Sequence, residues 1–144
     1  MKNKGFTLVE LLAVLAILAL LIIIVAPNII NMIDRSKQEK FVADAKELIT
    51  LAKYKSKLEK YESLFEQTGN CYTINATNLE FSVINDPDGN QYDYSTSQVM
   101  YCLENSRNVF YVRMYSMGDD AREVTGTETN NFVKESDLNI NNVK

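Results

Sequence analysis

The chain has 144 residues and a formal charge of −4, with neither histidine nor tryptophan. Lack of histidine removes the usual general base at neutral pH, the Ser-His and Cys-His nucleophile pairs and the commonest zinc ligand, which weighs against an enzyme and gives no reason to expect a cofactor. Residues 35–60 carry eight Lys and Arg against four Asp and Glu, whereas residues 61–144 carry five against thirteen. That split weighs against direct nucleic-acid binding through one dominant positive face; it suits subunits that pack basic on acidic surface, or simply solvated faces.

Met1 to Gly5 hold two lysines, Lys2 and Lys4, and an apolar stretch opens at Phe6 and runs unbroken from Leu11 to Ala26. Phe6 to Met32 is long enough to span a hydrocarbon core of about 30 Å. Three readings compete. A secretory signal needs a small-residue cleavage site after the apolar part, and none follows. A permanent anchor would keep the two lysines in the cytoplasm. The third is a helix that spans a membrane only for a time. Inside the stretch stands Glu10, and a charge at the centre of a spanning helix costs roughly 3 kcal/mol, so the carboxylate calls for a partner. The alternative is that it merely reaches the headgroup region.

Beyond Pro27, the one expected kink, the pattern becomes amphipathic. Phe41, Ala45, Leu48 and Ala52 follow at helical spacings, and Leu51, Tyr54, Leu58, Tyr61 and Phe65 extend the stripe. No Pro or Gly interrupts residues 28–68, and Gly69-Asn70 reads as the stop. After it the texture is β: short candidates at 71–74 and 79–84, a turn at Asp86-Pro87-Asp88-Gly89-Asn90, the best strands at 98–103 and 108–115, a turn at 118–120, and a last edge strand at 131–133 or 139–143. A long N-terminal α-helix followed by a small antiparallel β-sheet makes an α+β fold, with the amphipathic stripe of the helix covering one face of the sheet. The apolar half of the helix must find partners outside its own chain.

Lys4-Gly5-Phe6-Thr7-Leu8-Val9-Glu10, with the apolar run and Pro27 behind it, resembles the N-terminus of type IV prepilins, a signature shared by pseudopilins of type II secretion and DNA-uptake systems. The resemblance covers about the first 35 residues, and it implies the type IV pilin fold. It divides the chain into a leader (1–5), a hydrophobic transmembrane or filament-core helix (6–32), the amphipathic half of the same helix (33–68) and a sheet head domain (69–144). It implies that a prepilin peptidase cuts after Gly5 and methylates the new amino group of Phe6, and that Glu10 meets that amine on a neighbouring subunit. Before assembly such a subunit sits in the cytoplasmic membrane with its N-terminus inside. Afterwards it belongs to a surface filament, in which its partners are further copies of itself and minor pilins, reached through an inner-membrane assembly platform.

The part beyond the membrane would be oxidising, so Cys71 and Cys102, 31 residues apart, would form a disulfide contributing ~3 kcal/mol; two separate buried thiols are the alternative. The Asp86-to-Asp93 stretch fails the EF-hand pattern and reads as a β-turn. Asp86, Asp88 and Asp93 are the carboxylates a calcium ion would take if the likeness extended to pseudopilins. The expected role is a structural subunit of a type IV pilus for adhesion, motility or aggregation. A pseudopilin is the alternative, and a monomeric membrane-anchored binding domain a more distant one.

Overall fold

The computed structural model describes residues 7–126 and 129–144. One long helix, α1 (Leu8–Lys55), comes first; short strands, turns and single-turn 3-10 helices follow. The chain divides into two compact units, residues 1–36 and 37–144, and α1 contributes to both.

In the first unit α1 has no core to join. Every described residue from Thr7 to Ser36 is exposed except the half-buried Ala26, and Leu8, Ile23 and Ile24 stand 75%, 70% and 67% open. Apolar surface on this scale is stable only in another apolar medium, and the helix is long and apolar enough to cross a membrane. Pro27 lies inside α1, which continues through it. Having no N–H, it leaves the carbonyl of Ile23 without its usual helical donor.

In the second unit α1 buries Phe41, Val42, Ala45, Leu48, Ile49 and Ala52. The sheet comprises β1 (Glu66–Thr68), β2 (Cys71–Asn75), β3 (Gln98–Glu104), β4 (Arg107–Tyr115), β5 (Glu123–Val124) and β6 (Val133–Lys134). Neighbours follow the order β1-β2-β3-β4-β5, all antiparallel, with β6 also paired to β4. Because side chains alternate across a strand, Ile74, Val99, Val112 and Met114 face α1 and join Leu79 and Tyr92 in one core. Asn105 and Ser106, both at positive φ (48° and 63°), make the two-residue turn between β3 and β4 that matches the twist of a hairpin. This is the α+β arrangement, a long helix packed on a small antiparallel sheet.

Three boundaries depart from the sequence expectation. The amphipathic helix ends at Lys55 and not at residue 68; a 3-10 helix at Glu59–Leu64 and β1 occupy the rest. Its end is set by tertiary contacts. The buried Lys55 ammonium donates to the Asn78 carbonyl at 3.0 Å, pairs with Glu80 at 3.1 Å and lies 4.5 Å from the Tyr61 ring centre, while the Leu58 N–H turns back to the Lys55 carbonyl at 3.1 Å. Tyr54, placed on the stripe by spacing, is 63% exposed, and Val42 and Ile49 are buried instead.

Residues 79–84 form no strand, because Glu80 takes a left-handed backbone (φ 57°) after the 3-10 helix Ala76–Leu79. Leu79, at the end of that 3-10 helix, and Phe81, in the loop after it, enter the core. At the C-terminus the strand is Val133–Lys134, set against Val112 and Tyr111. Residues Ile140–Asn142 are 3-10, leaving only a bridge from Val143 to Val124.

Candidate functional site

The site begins at the first turn of α1. The Thr7 N–H and hydroxyl both donate to Glu10 Oε2, at 2.8 and 2.9 Å, and the Glu10 N–H donates to Thr7 Oγ1 at 3.3 Å. This is a capping box: the residue before the helix and the third residue within it each satisfy a backbone donor that the helix geometry leaves orphaned. In lipid, where no water can serve those donors, the arrangement offsets part of the cost of a carboxylate. All three contacts use Oε2 or the main chain, so Oε1 has no partner among the described residues. The spacing Thr7-x-x-Glu10 carries this signal in the sequence, where Glu10 otherwise reads as a partner for another subunit or as a group reaching the headgroup region. Gly5 and Phe6, the expected cleavage and methylation positions, lie outside the described residues, as does the leader.

The helix therefore presents a capped carboxylate at one end of an uncovered apolar surface. Residues 1–26 match the family model of the prokaryotic N-terminal methylation motif. No curated protein and no solved structure matches the chain. The motif is typical of type IV pilins and marks a structural, non-enzymatic kind of protein. The motif supports a pilin- or pseudopilin-like prepilin substrate, and what it implies is processing by prepilin peptidase and assembly into pilus-like filaments. The motif and the apolar helix together support membrane anchoring before assembly.

Within the second unit, Cys71 and Cys102 are register partners on β2 and β3 and are joined by a disulfide, with Cα atoms 4.0 Å apart. The three aspartates considered for calcium are directed to three different tasks. Asp86 Oδ1 accepts the N–H groups of Asp88 and Asn90 at 2.9 and 2.8 Å and closes its own turn. Asp88 pairs with Lys37 at 2.7 Å and with Arg122. Asp93 accepts the N–H and hydroxyl of Ser95 at 3.0 and 2.6 Å. Among the described residues no group of three metal-ligating side chains comes together, and the aspartates act as turn and docking elements.

Asp88 ties the turn to α1 through Lys37 and to the segment after β4 through Arg122. The Arg122 guanidinium, and after it the Lys37 ammonium, hold its carboxyl below the usual carboxylate range. A carboxyl with a lower pKa folded than unfolded stabilises the fold above its unfolded value, about pH 4 for aspartate, and loses that contribution as the pH falls toward the folded value. Asp88→Asn is expected to cost about 1–3 kcal/mol at neutral pH. Thermal melts of the full chain in mild detergent should show the gap from the parent protein narrowing as the pH is taken below about 4; a gap independent of pH would remove the ionic role.

A second carboxylate, Asp44 on α1, is buried, accepts the Tyr92 hydroxyl at 2.7 Å and pairs with Lys40 at 3.0 Å. Burial first, and then the Asp44 carboxylate, push the Tyr92 phenol far above its ordinary value, so it remains a donor at any physiological pH. The core stripe of the helix, read as apolar, carries this polar clamp because the side chain opposite is a tyrosine.

Proposed function

We propose that the chain is a structural subunit of a type IV pilus. In this reading the leader, residues 1–5, is removed after Gly5 and the new amino group of Phe6 is methylated. Residues 6–32 hold the subunit in the cytoplasmic membrane as a single pass, N-terminus inside, until they become filament core. The remainder of α1 and the sheet form the head displayed on the fibre. The observation that carries the reading is the capped Glu10 at the start of an uncovered apolar helix. Oε2 is engaged by Thr7 while Oε1 is left for a cation, and the Phe6 amine of an incoming subunit supplies one. Two opposite charges attract strongly in a low dielectric, so pairing favours assembly over the lone state and sets the axial register.

A pseudopilin shares all of this. The dispersal of Asp86, Asp88 and Asp93 to protein partners supports the pilus reading over a calcium-dependent pseudopilin. The test is the intact mass of the protein recovered from a sheared surface fraction of its native host. A chain lacking Met1 to Gly5 and carrying one extra methyl group is the expected result, with fibres visible by electron microscopy in the same fraction. Full-length protein confined to membranes would reduce the N-terminus to an ordinary anchor, and processed protein without surface fibres would favour the pseudopilin.

A further inference from the structure

The face of the sheet turned away from α1 is built from the alternate residues of the same strands. Register places Thr73, Met100, Tyr111 and Lys134 in one row and Asn75, Gln98 and Arg113 in the next. Over these rows lies a cleft of about 490 Å³ between β1 and the segment Asn130 to Phe132, with Glu66 in its β1 wall and Arg113 near the opposite one. Arg113 is held in place from several sides. Its guanidinium lies 4.8 Å from the Phe132 ring centre, Nη2 donates to Gln98 Oε1 at 2.5 Å, and Nη1 donates to the Asn130 carbonyl at 3.3 Å. Gln98 is itself oriented, because its Nε2 donates to Asn75 Oδ1 at 2.6 Å.

Two features of this arrangement are incomplete. All the partners of Arg113 are neutral, and no carboxylate among the described residues pairs with it. Its Nε–H is buried and has no acceptor among the described residues. A half-buried cation is normally met by an anion, and a buried N–H without an acceptor costs a desolvation penalty. Nε and Nη2 stand side by side on one edge of the guanidinium, and the Gln98 amide offers that edge a single oxygen. A carboxylate offers two, in the fork geometry that suits arginine.

We propose that this cleft binds a small carboxylate-bearing, hydroxyl-rich ligand of the acidic-sugar class, with Arg113 as its anchor. The ligand carboxylate takes the Nε and Nη2 edge and displaces the Gln98 amide toward a neighbouring cleft of about 520 Å³ that Gln98 also lines. Glu66 lies three strand spacings across and two residues along from Arg113, about 16 Å between backbones, and repels a carboxylate while accepting from hydroxyls, which sets the direction in which the ligand lies. Thr68, Thr73 and Asn131 supply further hydroxyl and amide groups along the way. The inference uses only the head and does not depend on the filament reading.

The experiment is a titration of the full ¹⁵N-labelled chain in detergent micelles with D-glucuronate, following the arginine Nε–H resonances. The expected result is a saturable shift of the Arg113 signal with a dissociation constant of about 1 mM, the range open to a ligand of this size. Arg113→Gln should weaken binding at least tenfold. Arg113→Lys, which keeps the charge and loses the fork, should also weaken it. Gln98→Ala, which vacates the edge, should leave it unchanged or tighten it a few fold, and thermal melts of each variant check that the head is folded. The proposal is overturned if no resonance saturates, if the lysine variant binds as the parent does, or if D-glucose, which lacks the carboxylate, binds equally well. Glutarate binding as tightly as glucuronate would overturn the sugar assignment and leave a plain carboxylate site.

Discussion

Replacing Glu10 by glutamine is expected to abolish filaments while leaving the monomer processed and inserted. Glutamine at this position can still serve a capping box, so Glu10→Gln keeps the first turn of α1 and removes only the charge. Removing one partner of a buried ion pair costs roughly 3–5 kcal/mol, which for a docking equilibrium is at least about a hundredfold. Glu10→Ala loses charge and cap together and should fail equally at assembly. Thr7→Ala loses the cap alone, worth about 1 kcal/mol, and should lower filament yield by a smaller factor. The readout is the amount of subunit in the sheared fraction against the amount of processed subunit in membranes. Normal filaments from Glu10→Gln would sink the pairing role and leave the contact with Thr7 as the whole purpose of the residue.

The second large effect concerns the disulfide. Cys71 and Cys102 are 31 residues apart in sequence and are register partners in adjacent strands. Closing a loop of that length is worth about 3–4 kcal/mol on a chain-entropy argument. The double variant Cys71→Ser, Cys102→Ser avoids a stray thiol, and its melting temperature is expected to fall by more than about 10 °C, given that 1 kcal/mol moves a domain of this size by several degrees. Reducing agent should reproduce the fall in the parent chain and have no effect on the double variant. A melt unchanged by either treatment would show that β2 and β3 are held by their pairing and core contacts alone.

Legibility in the sequence followed the range of the physics involved. Phe41, Ala45, Leu48 and Ala52 were readable as core because helical spacing alone puts them on one face, and all are buried. The two long strands, β3 and β4, were readable from their Val, Tyr and Phe content. What failed depended on contacts made over long separations. No Pro or Gly marks the end of α1 at Lys55; contacts of Lys55 with Asn78, Glu80 and Tyr61 hold it there. Residues 79–84 look like a strand, yet after the left-handed Glu80 they run as a loop that buries Phe81 and leaves Ser82 and Ile84 exposed. β1 and β5 are too short to carry a periodic signal.

The same division applies to the sites. The N-terminal motif is contiguous, so the residues themselves show the methylation motif, the apolar helix and the acid within it. Arg113 could not be found this way: its meaning lies in Gln98, Asn130 and Phe132, which only the register of β3 and β4 and the return of the chain to β6 bring around it. The three aspartates at 86, 88 and 93 lie close along the chain, and in the fold each carboxylate accepts from donors of its own. By itself, then, the sequence determined what is local and periodic: the motif, the membrane-length helix and the α+β class. Tertiary structure alone decided where the helix stops, which carboxylates are occupied and which neutral groups surround Arg113, because those depend on partners that the chain brings together only when it folds.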